Sequence, residues 1–323
     1  MEINSKIKAD LEKQGYRIIG KHSAIKICEW TRKSLRNEDV CYKEKFYGIK
    51  SHRCCQMSCS LLNCQNKCIH CWRNLNYTDS KKIQNPEDPK KIIENCIKQQ
   101  RLILQGFKGS KKTNLKKFKE AMNPKQFAIS LTGEATLYPK LAELIKELRN
   151  QGKTSFLVTN GLMPEKLQEL EKKNALPTQL YLSLNSPNEK LYKPWHNSKE
   201  KQAWKKFNQS LKVVNHLTKN RKTRTVLRLT LVKNINLKQE YAKDYAKLIK
   251  KASPNFIEVK SYMAVGESRK RIPYKDMPLH KEIKLFSKQL LRFLPTYKIL
   301  SEKKESRVVL IGKTKRDMKI VKA

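Results

Sequence analysis

Three closely spaced cysteines constrain this chain more than any other feature of its sequence. Cys64, Cys68 and Cys71 are separated by three and then two residues, and Trp72 follows the last of them. Thiolates on one such loop can hold three corners of a cubane iron–sulfur cluster, whereas ferredoxin-type clusters use four cysteines. With three ligands one iron keeps an open position, as in metal centres that bind a further molecule. The alternatives are a zinc site with His70 as fourth ligand and a set of disulfides, which are rare in a reducing compartment.

A second set of cysteines lies upstream. Twelve residues separate Cys28 from Cys41 and twelve separate Cys41 from Cys54, and eight of the nine cysteines fall between positions 28 and 71. Regular spacing ahead of a cluster motif favours a second cluster, in which Cys55 or Cys59 is a fourth ligand or one iron again stays open. The alternative is a group of buried free thiols, since free cysteine packs as a small hydrophobe.

Lys43 lies two residues after Cys41. A lysine held beside a metal cluster would experience nearby charge and partial burial. Both can depress its pKa and make the amine a nucleophile toward carbonyl compounds. In a chain so rich in lysine, the residues alone favour a solvated side chain here.

The charge of the chain indicates a polyanionic partner. Lys and Arg number 71 against 29 Asp and Glu, a formal net charge of +42. Nucleic acid is the first inference from such an imbalance, because phosphate contacts give affinity without reading sequence. The alternative is a solubilising surface. Residues 1–15 are polar and charged, and no apolar run approaches the roughly 20 residues that span a bilayer, so we expect a soluble, cytoplasmic protein without a membrane partner.

The remaining chain alternates between strand-like and helix-like stretches. Apolar runs predict strands near residues 53–59 and at 126–131, 155–158, 179–184, 225–232 and 256–262. One helix is predicted from Asn85, where Asp88 can cap it and Pro89 fits its first position. Further amphipathic helices are predicted at 138–151, 163–174, 200–219, 238–252 and 277–293. Such alternation is typical of a parallel sheet with helical crossovers.

We therefore predict an α/β fold, a partial (β/α)6 barrel with an N-terminal cysteine-rich extension. The extension covers residues 1–51 and carries ligands of the second cluster. The barrel covers residues 52–312, and a basic C-terminal tail covers residues 313–323. Within the first two regions, residues 1–22 are interpreted as a short helix and residues 108–124 as a basic connector.

Polar residues follow several predicted strands. Glu134 follows the first strand after the cluster motif and could accept hydrogen bonds from a ligand ammonium group. Thr159 and Asn160 end the next strand, and Ser183 and Asn185 end the one after it. Each is also an ordinary turn or cap former, but such residues after successive strands predict a ligand site at that edge of the sheet.

The cysteine motif with its aromatic neighbour resembles the radical S-adenosylmethionine superfamily. In that superfamily the open iron chelates S-adenosylmethionine, which is cleaved on reduction to a 5′-deoxyadenosyl radical. More specifically, the sequence resembles the archaeal-type tRNA 4-demethylwyosine synthases from about Cys28 to Leu310. The double set of cysteines with Lys43 is the most specific part of the match, which also includes residues 121–125, 130–134, 137–139, 258–260, 266 and 268–269.

The resemblance implies a carbon–carbon lyase reaction. The substrate would be tRNA(Phe) with N1-methylguanosine next to the anticodon, the carbon donor pyruvate, and the product the tricyclic base 4-demethylwyosine. It implies S-adenosylmethionine and two [4Fe–4S] clusters, one bound by Cys64, Cys68 and Cys71, the other by Cys28, Cys41 and Cys54 and engaging pyruvate.

The resemblance also implies roles for single residues. Lys43 would form a Schiff base with pyruvate. Glu134 would bind the amino group of S-adenosylmethionine, and the adenosyl pocket would be lined by Thr159, Asn160, Ser183 and Asn185. Asn185 stands where the family usually has aspartate, and its neutral amide supplies no anionic contact there.

The same resemblance bears on partners. Eukaryotic members carry a flavodoxin-like domain before the barrel, and only 27 residues precede Cys28 here. We therefore expect an external ferredoxin- or flavodoxin-like electron donor, and a monomer. Two alternatives remain at this point: another radical S-adenosylmethionine enzyme acting on RNA with one or two clusters, and a non-catalytic zinc or iron–sulfur protein that binds RNA.

Overall fold

A ten-stranded sheet organises residues 2–320, the part of the chain that this computed structural model describes. Its strands are β1 Arg17–Ile19, β2 Ser23–Ile25, β3 Cys54–Ser58, β4 Gln126–Ile129, β5 Thr154–Thr159, β6 Gln179–Ser183, β7 Arg224–Leu231, β8 Phe256–Ser261, β9 Lys298–Lys303 and β10 Val308–Gly312. Strands β3 to β8 are parallel neighbours in sequence order. The predicted α/β fold with six consecutive strands of a partial barrel is confirmed.

Eleven α-helices are described, most of them between the strands in sequence. They are α1 Ser5–Lys13, α2 Glu29–Leu35, α3 Tyr42–Tyr47, α4 Pro89–Lys108, α5 Leu115–Ala121, α6 Leu141–Asn150, α7 Pro164–Lys172, α8 Glu189–His196, α9 Ala203–Lys219, α10 Tyr241–Ala252 and α11 His280–Leu291. The helix predicted from Asn85 begins at Pro89, and its predicted cap is confirmed: the Asp88 side chain accepts a hydrogen bond of 3.0 Å from the Lys91 backbone N–H. Among the described helices, none is long and apolar enough to cross a bilayer.

The two faces of the central strands pack against different partners, because side chains alternate along a strand. On the outer face, residues such as Leu180, Leu227 and Ile257 belong to the main core with the surrounding helices. On the inner face, a second core joins strand residues to α3; its members include Phe156, Tyr181, Val226, Phe256, Tyr42, Phe46 and Tyr47. Helix α3 therefore fills part of the barrel interior, near the N-terminal ends of the strands.

Two hairpins extend the parallel sheet at its edges, and the sequence pattern did not predict them. Strands β1 and β2 pair antiparallel and join β3, so the predicted short helix at residues 1–22 ends at Lys13 and gives way to strands. At the other edge, β10 pairs antiparallel with both β8 and β9. Strands of three residues, as in β1 and β2, are too short to show a period in the sequence.

Two further segments, the predicted connector and the predicted tail, have local structure that the sequence pattern did not indicate. Residues 108–124 include α5, which Asn114 caps by accepting a hydrogen bond of 2.9 Å from the Lys117 backbone N–H. After β10 the chain runs back to α3, where the Ile320 backbone N–H donates to the Tyr47 carbonyl at 3.0 Å. The division of the chain at residues 51 and 312 stays a prediction.

Candidate active site

The loop with Cys64, Cys68 and Cys71 is held in place by distant backbone groups. The Ile69 backbone N–H donates to the carbonyl of Trp195 at 3.0 Å, at the end of α8, and the Trp72 indole N–H donates to the carbonyl of Leu131 at 3.1 Å. Such contacts fix where the three thiols point, although the loop itself has no regular secondary structure.

Arg271 is a second anchor of this loop, and sequence reasoning missed it. Its guanidinium donates to the carbonyl of Ile69 at 3.0 Å and also to the carbonyl of Cys71. Gly266, on the same segment, approaches the loop so closely that a Cβ atom there would lie 2.5 Å from the Trp72 carbonyl oxygen. About 200 residues separate the partners, so no local pattern could have indicated the contact.

The three thiols form a set whose chemistry suits an iron–sulfur cluster. Burial raises the pKa of Cys64 to about 11 and also raises that of Cys68, so an adjacent cation is needed to keep thiolates at neutral pH. Arg73 donates to the Cys71 sulfur at 3.3 Å, while its buried Nη1 has no partner among the described residues. A buried guanidinium N–H without an acceptor, next to three thiols, suits an anionic group bound at this position.

Glu134, Thr159 and Asn160 meet next to this loop, as the strand-end pattern predicts. The buried Glu134 carboxylate accepts hydrogen bonds from the Thr159 hydroxyl and the Asn160 backbone N–H, both at 2.7 Å. Burial raises the pKa of Glu134, and these donors oppose the rise. The Asn160 side-chain amide lies 4.0 Å from the Cys64 sulfur. The arrangement places a carboxylate beside the cysteine loop, where it could accept a ligand ammonium.

Gly133 is the residue that lets Glu134 approach the cysteine loop. Its φ of +73° is left-handed, and a Cβ atom would lie 1.7 Å from the Ser60 carbonyl oxygen. We expect Gly133→Ala to lower the free energy of unfolding by about 3 kcal/mol or more. Urea denaturation of the anaerobically reconstituted protein measures this.

Gly106 offers the matched control for that substitution. It lies within α4, and a Cβ atom there would meet nothing within 4 Å. Gly106→Ala should therefore raise the free energy of unfolding by up to about 1 kcal/mol through helix propensity. Equal urea midpoints for Gly133→Ala and the wild type would contradict the packing argument.

Ser183 and Asn185 lie at the end of β6, but Asn185 is engaged with the backbone. Its amide oxygen accepts from the Thr230 backbone N–H at 3.1 Å, and its carbonyl accepts from the side chains of Asn236 and Tyr245. Ser183 is half-buried and pairs in register with Arg228 of β7. Asn185 thus ties β6 to β7, and its contact with an adenosyl group stays a prediction.

The second cysteine set also converges, around Lys43. Cys28 and Cys41 occupy the N-cap positions of α2 and α3, and Cys54 begins β3. Burial raises the pKa of Cys41 to about 12 and raises those of Cys28 and Cys54; the positive charge of Lys43 opposes the rise at all three. The helix N-termini and the lysine together favour negative charge on these sulfurs.

Lys43 is enclosed rather than solvated, contrary to what the residues alone favoured. Its side chain is only 9 % exposed, and its ammonium lies 5.0 Å from the ring centroids of both Phe156 and Tyr181. Burial lowers its pKa, and the charge of Arg228 lowers it further. Within residues 2–320 the ammonium makes ring contacts and no ion pair. An amine in such surroundings is suited to nucleophilic attack on a carbonyl group.

The other three cysteines pack in the core. Cys55, Cys59 and Cys96 are fully buried in the main hydrophobic core. Cys96 lies on the buried face of α4 together with Ile92 and Ile93. Across residues 2–320, no three His, Cys, Asp or Glu side chains could bind a single metal ion. A four-iron cluster binds each thiolate through a different iron, so its ligands stand further apart than those of one zinc ion.

Comparisons with known proteins agree with this geometry. Residues 60–246 match the family model of the radical SAM superfamily, and residues 251–313 match that of wyosine base formation. The chain is 46% identical over 300 residues to the S-adenosyl-L-methionine-dependent tRNA 4-demethylwyosine synthase of Pyrococcus horikoshii, covering 93% of this chain and 86% of that protein. The chain belongs to the tRNA 4-demethylwyosine synthase family. It is thus a radical S-adenosylmethionine enzyme, a class that uses S-adenosylmethionine and a [4Fe–4S] cluster.

Other relatives extend the similarity. The Methanocaldococcus jannaschii synthase is 39% identical, covering 93% of this chain and 94% of that protein. The human synthase is 36% identical over 97% of this chain, which spans 42% of the human protein.

Two solved structures share the fold of this family member. A structure of TYW1 with a lysine–pyruvate adduct bound superposes with a TM-score of 0.85 at 36% identity and covers 98% of both chains. A crystal structure of archaeal TYW1 superposes with a TM-score of 0.78 at 34% identity, over 98% of this chain and all of the other. The family predicted from the cysteine sets and Lys43 is confirmed, whereas the role of each site residue stays a prediction.

Proposed function

We propose that this protein converts N1-methylguanosine next to the anticodon of tRNA(Phe) to 4-demethylwyosine, with pyruvate as carbon donor. The enclosed amine of Lys43 carries the proposal. It lies against two aromatic rings and beside three convergent thiols. The structural relative with a lysine–pyruvate adduct supports a carbonyl compound as its reaction partner.

The proposed chemistry of Lys43 is imine formation. Its neutral amine adds to the keto carbon of pyruvate, and the carbonyl oxygen leaves as water. The resulting C=N group accepts electron density better than a ketone, so the methyl carbon of the base, once it has lost hydrogen, can add to the keto carbon. The bond from that carbon to the carboxyl carbon then breaks, and the carboxyl carbon leaves with the unpaired electron, so that two pyruvate carbons remain. The exocyclic amine of the base displaces the amine of Lys43 as the third ring closes. When bound, S-adenosylmethionine and the cluster supply the one-electron chemistry that removes hydrogen from the N-methyl group of the base.

The remaining site residues are proposed to bind and orient. Cys64, Cys68 and Cys71 would hold the cluster that works with S-adenosylmethionine, with Arg73 donating to an anionic group beside it. Glu134, positioned by Thr159 and Asn160, would accept hydrogen bonds from the amino group of S-adenosylmethionine, and Ser183 and Asn185 would line the adenosyl pocket.

A second [4Fe–4S] cluster is proposed on Cys28, Cys41 and Cys54. Its support is the donor set: three buried thiols beside a lysine, two of them at helix N-termini. Bound there, a cluster would lie next to the carbonyl compound on Lys43. We further propose a cytoplasmic monomer that receives electrons from a separate ferredoxin- or flavodoxin-like protein.

Product analysis tests this function directly. The reconstituted protein is incubated anaerobically with tRNA(Phe) containing N1-methylguanosine, S-adenosylmethionine, reductant and pyruvate, and the nucleosides are separated by mass. The expected nucleoside carries two carbons from labelled pyruvate and disappears when pyruvate is omitted. A modified base that forms without pyruvate would instead indicate a different radical enzyme acting on RNA.

The segment after β8, residues 263–277, is the proposed tRNA contact nearest the cysteine loop. It holds that loop through Gly266 and Arg271 and exposes the ring of Tyr274, which is 71% accessible. The same segment carries three exposed basic side chains, namely Arg269, Lys270 and Lys275. Basic residues beside an exposed aromatic ring suit unpaired bases of an RNA loop.

Binding of tRNA is expected to weaken steeply as salt increases, because phosphate contacts release counterions. Replacing Arg269, Lys270 and Lys275 together by glutamine should reduce the slope of log Kd against log salt by about one for each lost phosphate contact. Filter binding or fluorescence anisotropy at several salt concentrations measures the slope.

The matched control removes the same charge from the outside of the barrel. Lys243, Lys247 and Lys250 are exposed on α10, and their triple glutamine variant should keep the wild-type slope. Equal slopes for both variants would argue against the segment after β8 as a tRNA contact.

A further inference from the structure

A buried polar network lies beneath Lys43 on the inner face of the barrel. The Glu258 carboxylate is fully buried and accepts three hydrogen bonds: from Tyr42 at 3.0 Å, Tyr47 at 2.8 Å and the Arg228 Nε at 2.9 Å. Both carboxylate oxygens therefore have donors, and the charges of Arg228 and Glu258 compensate each other. The network joins α3 to strands β7 and β8.

The guanidinium of Arg228 is only partly used by this network. Its Nη2 is buried and has no hydrogen-bond partner among the described residues. A buried N–H left without an acceptor costs free energy. An acceptor that arrives with a ligand would remove this cost.

The guanidinium of Arg228 contacts the same aromatic ring as the amine of Lys43. The guanidinium carbon is 4.4 Å from the ring centroid of Tyr181, and the Lys43 ammonium is 5.0 Å from the same centroid. The positive charge of Arg228 acts on Lys43 strongly enough to depress its pKa, after burial. A small molecule bonded to the amine of Lys43 would lie in the same aromatic-lined part of the barrel as the guanidinium.

We propose that Arg228 binds the carboxylate of the 2-oxo acid whose keto group reacts with Lys43, and thereby selects an acid over a neutral ketone. This inference rests on the proposed function of Lys43. In a 2-oxo acid the carboxylate is bonded directly to the keto carbon. The amine of Lys43 and the guanidinium of Arg228, which contact the same Tyr181 ring, can therefore bind the keto carbon and the carboxylate of one molecule. Guanidinium–carboxylate hydrogen bonds are charge-assisted and stronger than neutral ones.

Lys260 is a half-buried cation on the neighbouring strand β8, and its position is less suitable. Its ammonium already donates to the Ser306 carbonyl at 3.2 Å. In the sheet register Arg228 lies opposite Glu258, whereas Lys260 lies opposite Thr230, two residues further along the strands. Arg228 therefore has both an N–H without an acceptor among the described residues and contact with the Tyr181 ring, which the Lys43 ammonium also contacts.

Reductive trapping measures the specificity without depending on turnover. The amine of Lys43 attacks the keto carbon, water leaves, and cyanoborohydride delivers hydride to the C=N bond to give a stable secondary amine. Pyruvate is compared with methyl pyruvate, which has the same keto group but no negative charge. The adduct on Lys43 in the reconstituted protein is quantified by peptide mass spectrometry.

The wild type should require much less pyruvate than methyl pyruvate for half-maximal trapping. In Arg228→Gln the pyruvate requirement should rise about 10- to 100-fold, the range of a charged hydrogen bond, with little change for methyl pyruvate. Arg228→Lys keeps the positive charge but lacks the planar guanidinium that can donate two parallel N–H groups to a carboxylate. Its ratio of methyl pyruvate to pyruvate required for half-maximal trapping should therefore be intermediate. Since both ketones report on the same amine, general damage to the site would affect both and leave their ratio unchanged.

Arg224→Gln is the matched control. Arg224 is on the same strand and also lies over aromatic rings, but its guanidinium donates to Gln179 and to the carbonyls of Asp317 and Met318. Its substitution should leave the ratio of the two ketone concentrations required for half-maximal trapping at the wild-type value.

A double variant covers the case in which Arg228→Gln does not fold because Glu258 is left unpaired. Arg228→Gln/Glu258→Gln removes both charges and should show the same loss of preference for pyruvate.

An unchanged preference for pyruvate in these Arg228 variants would overturn the inference. An equal rise in the concentrations of both ketones required for half-maximal trapping would overturn it too. Absence of any adduct in the wild type is a different outcome: it would refute the Schiff-base role of Lys43 and, with it, the inference.

Discussion

Replacing Lys43 by methionine is expected to abolish formation of the tricyclic base while the protein stays folded. Methionine keeps most of the volume between Phe156 and Tyr181 but has no amine. Removing an ammonium that is buried without an ion pair should not destabilise the fold. We expect the rate of product formation to fall roughly 10³-fold or more, equivalent to about 4 kcal/mol of transition-state stabilisation.

Two measurements distinguish a lost nucleophile from a damaged site. Mass spectrometry after cyanoborohydride reduction should show a pyruvate adduct on the wild type and none on Lys43→Met. Cleavage of S-adenosylmethionine should continue in the variant, because its proposed site involves Cys64 and Glu134 rather than Lys43.

Lys45 provides the control, since it is exposed on the same helix two residues further on. Lys45→Met should retain both product and adduct. If Lys43→Met still produced the tricyclic base, the imine mechanism would be wrong, and pyruvate would have to be activated by another group.

The architecture was predictable because its signals are local. The six parallel strands carry apolar runs, and α4 is marked by Asp88 and Pro89 at its start. The cysteine loop was found from three residues within one short stretch. Glu134, Thr159 and Asn160 were found because the C-terminal ends of parallel strands meet at one edge of the sheet.

Features that depend on long-range contacts were not predictable from local pattern. The contact of Arg271 with the cysteine loop joins segments about 200 residues apart. The burial of Lys43 depends on α3 entering the barrel, and six residues are too few to show a helical period. Only the family resemblance indicated this lysine, because one lysine in a chain with 71 Lys and Arg carries no signal by itself.

Two triple cysteine variants are expected to separate the proposed clusters. After anaerobic reconstitution the wild type should contain about eight irons per chain, two four-iron clusters. Replacing Cys28, Cys41 and Cys54 by alanine should lower this to about four irons. That variant should still cleave S-adenosylmethionine but form no tricyclic base.

The complementary variant should show the opposite pattern. Replacing Cys64, Cys68 and Cys71 by alanine should also leave about four irons but abolish cleavage of S-adenosylmethionine, because the remaining cluster is not beside Glu134. The comparison therefore assigns each cluster to its ligands and to its chemistry.

Cys55, Cys59 and Cys96 allow a control in which the same number of thiols is removed. They are fully buried in the main core, so their triple alanine variant should lose some stability and keep about eight irons.

A wild type with about four irons, unchanged by removal of Cys28, Cys41 and Cys54, would mean that Cys28, Cys41 and Cys54 bind no cluster. Lys43 would then have to act on pyruvate without a neighbouring metal, and Arg228 would be the main cationic group left to hold the carboxylate.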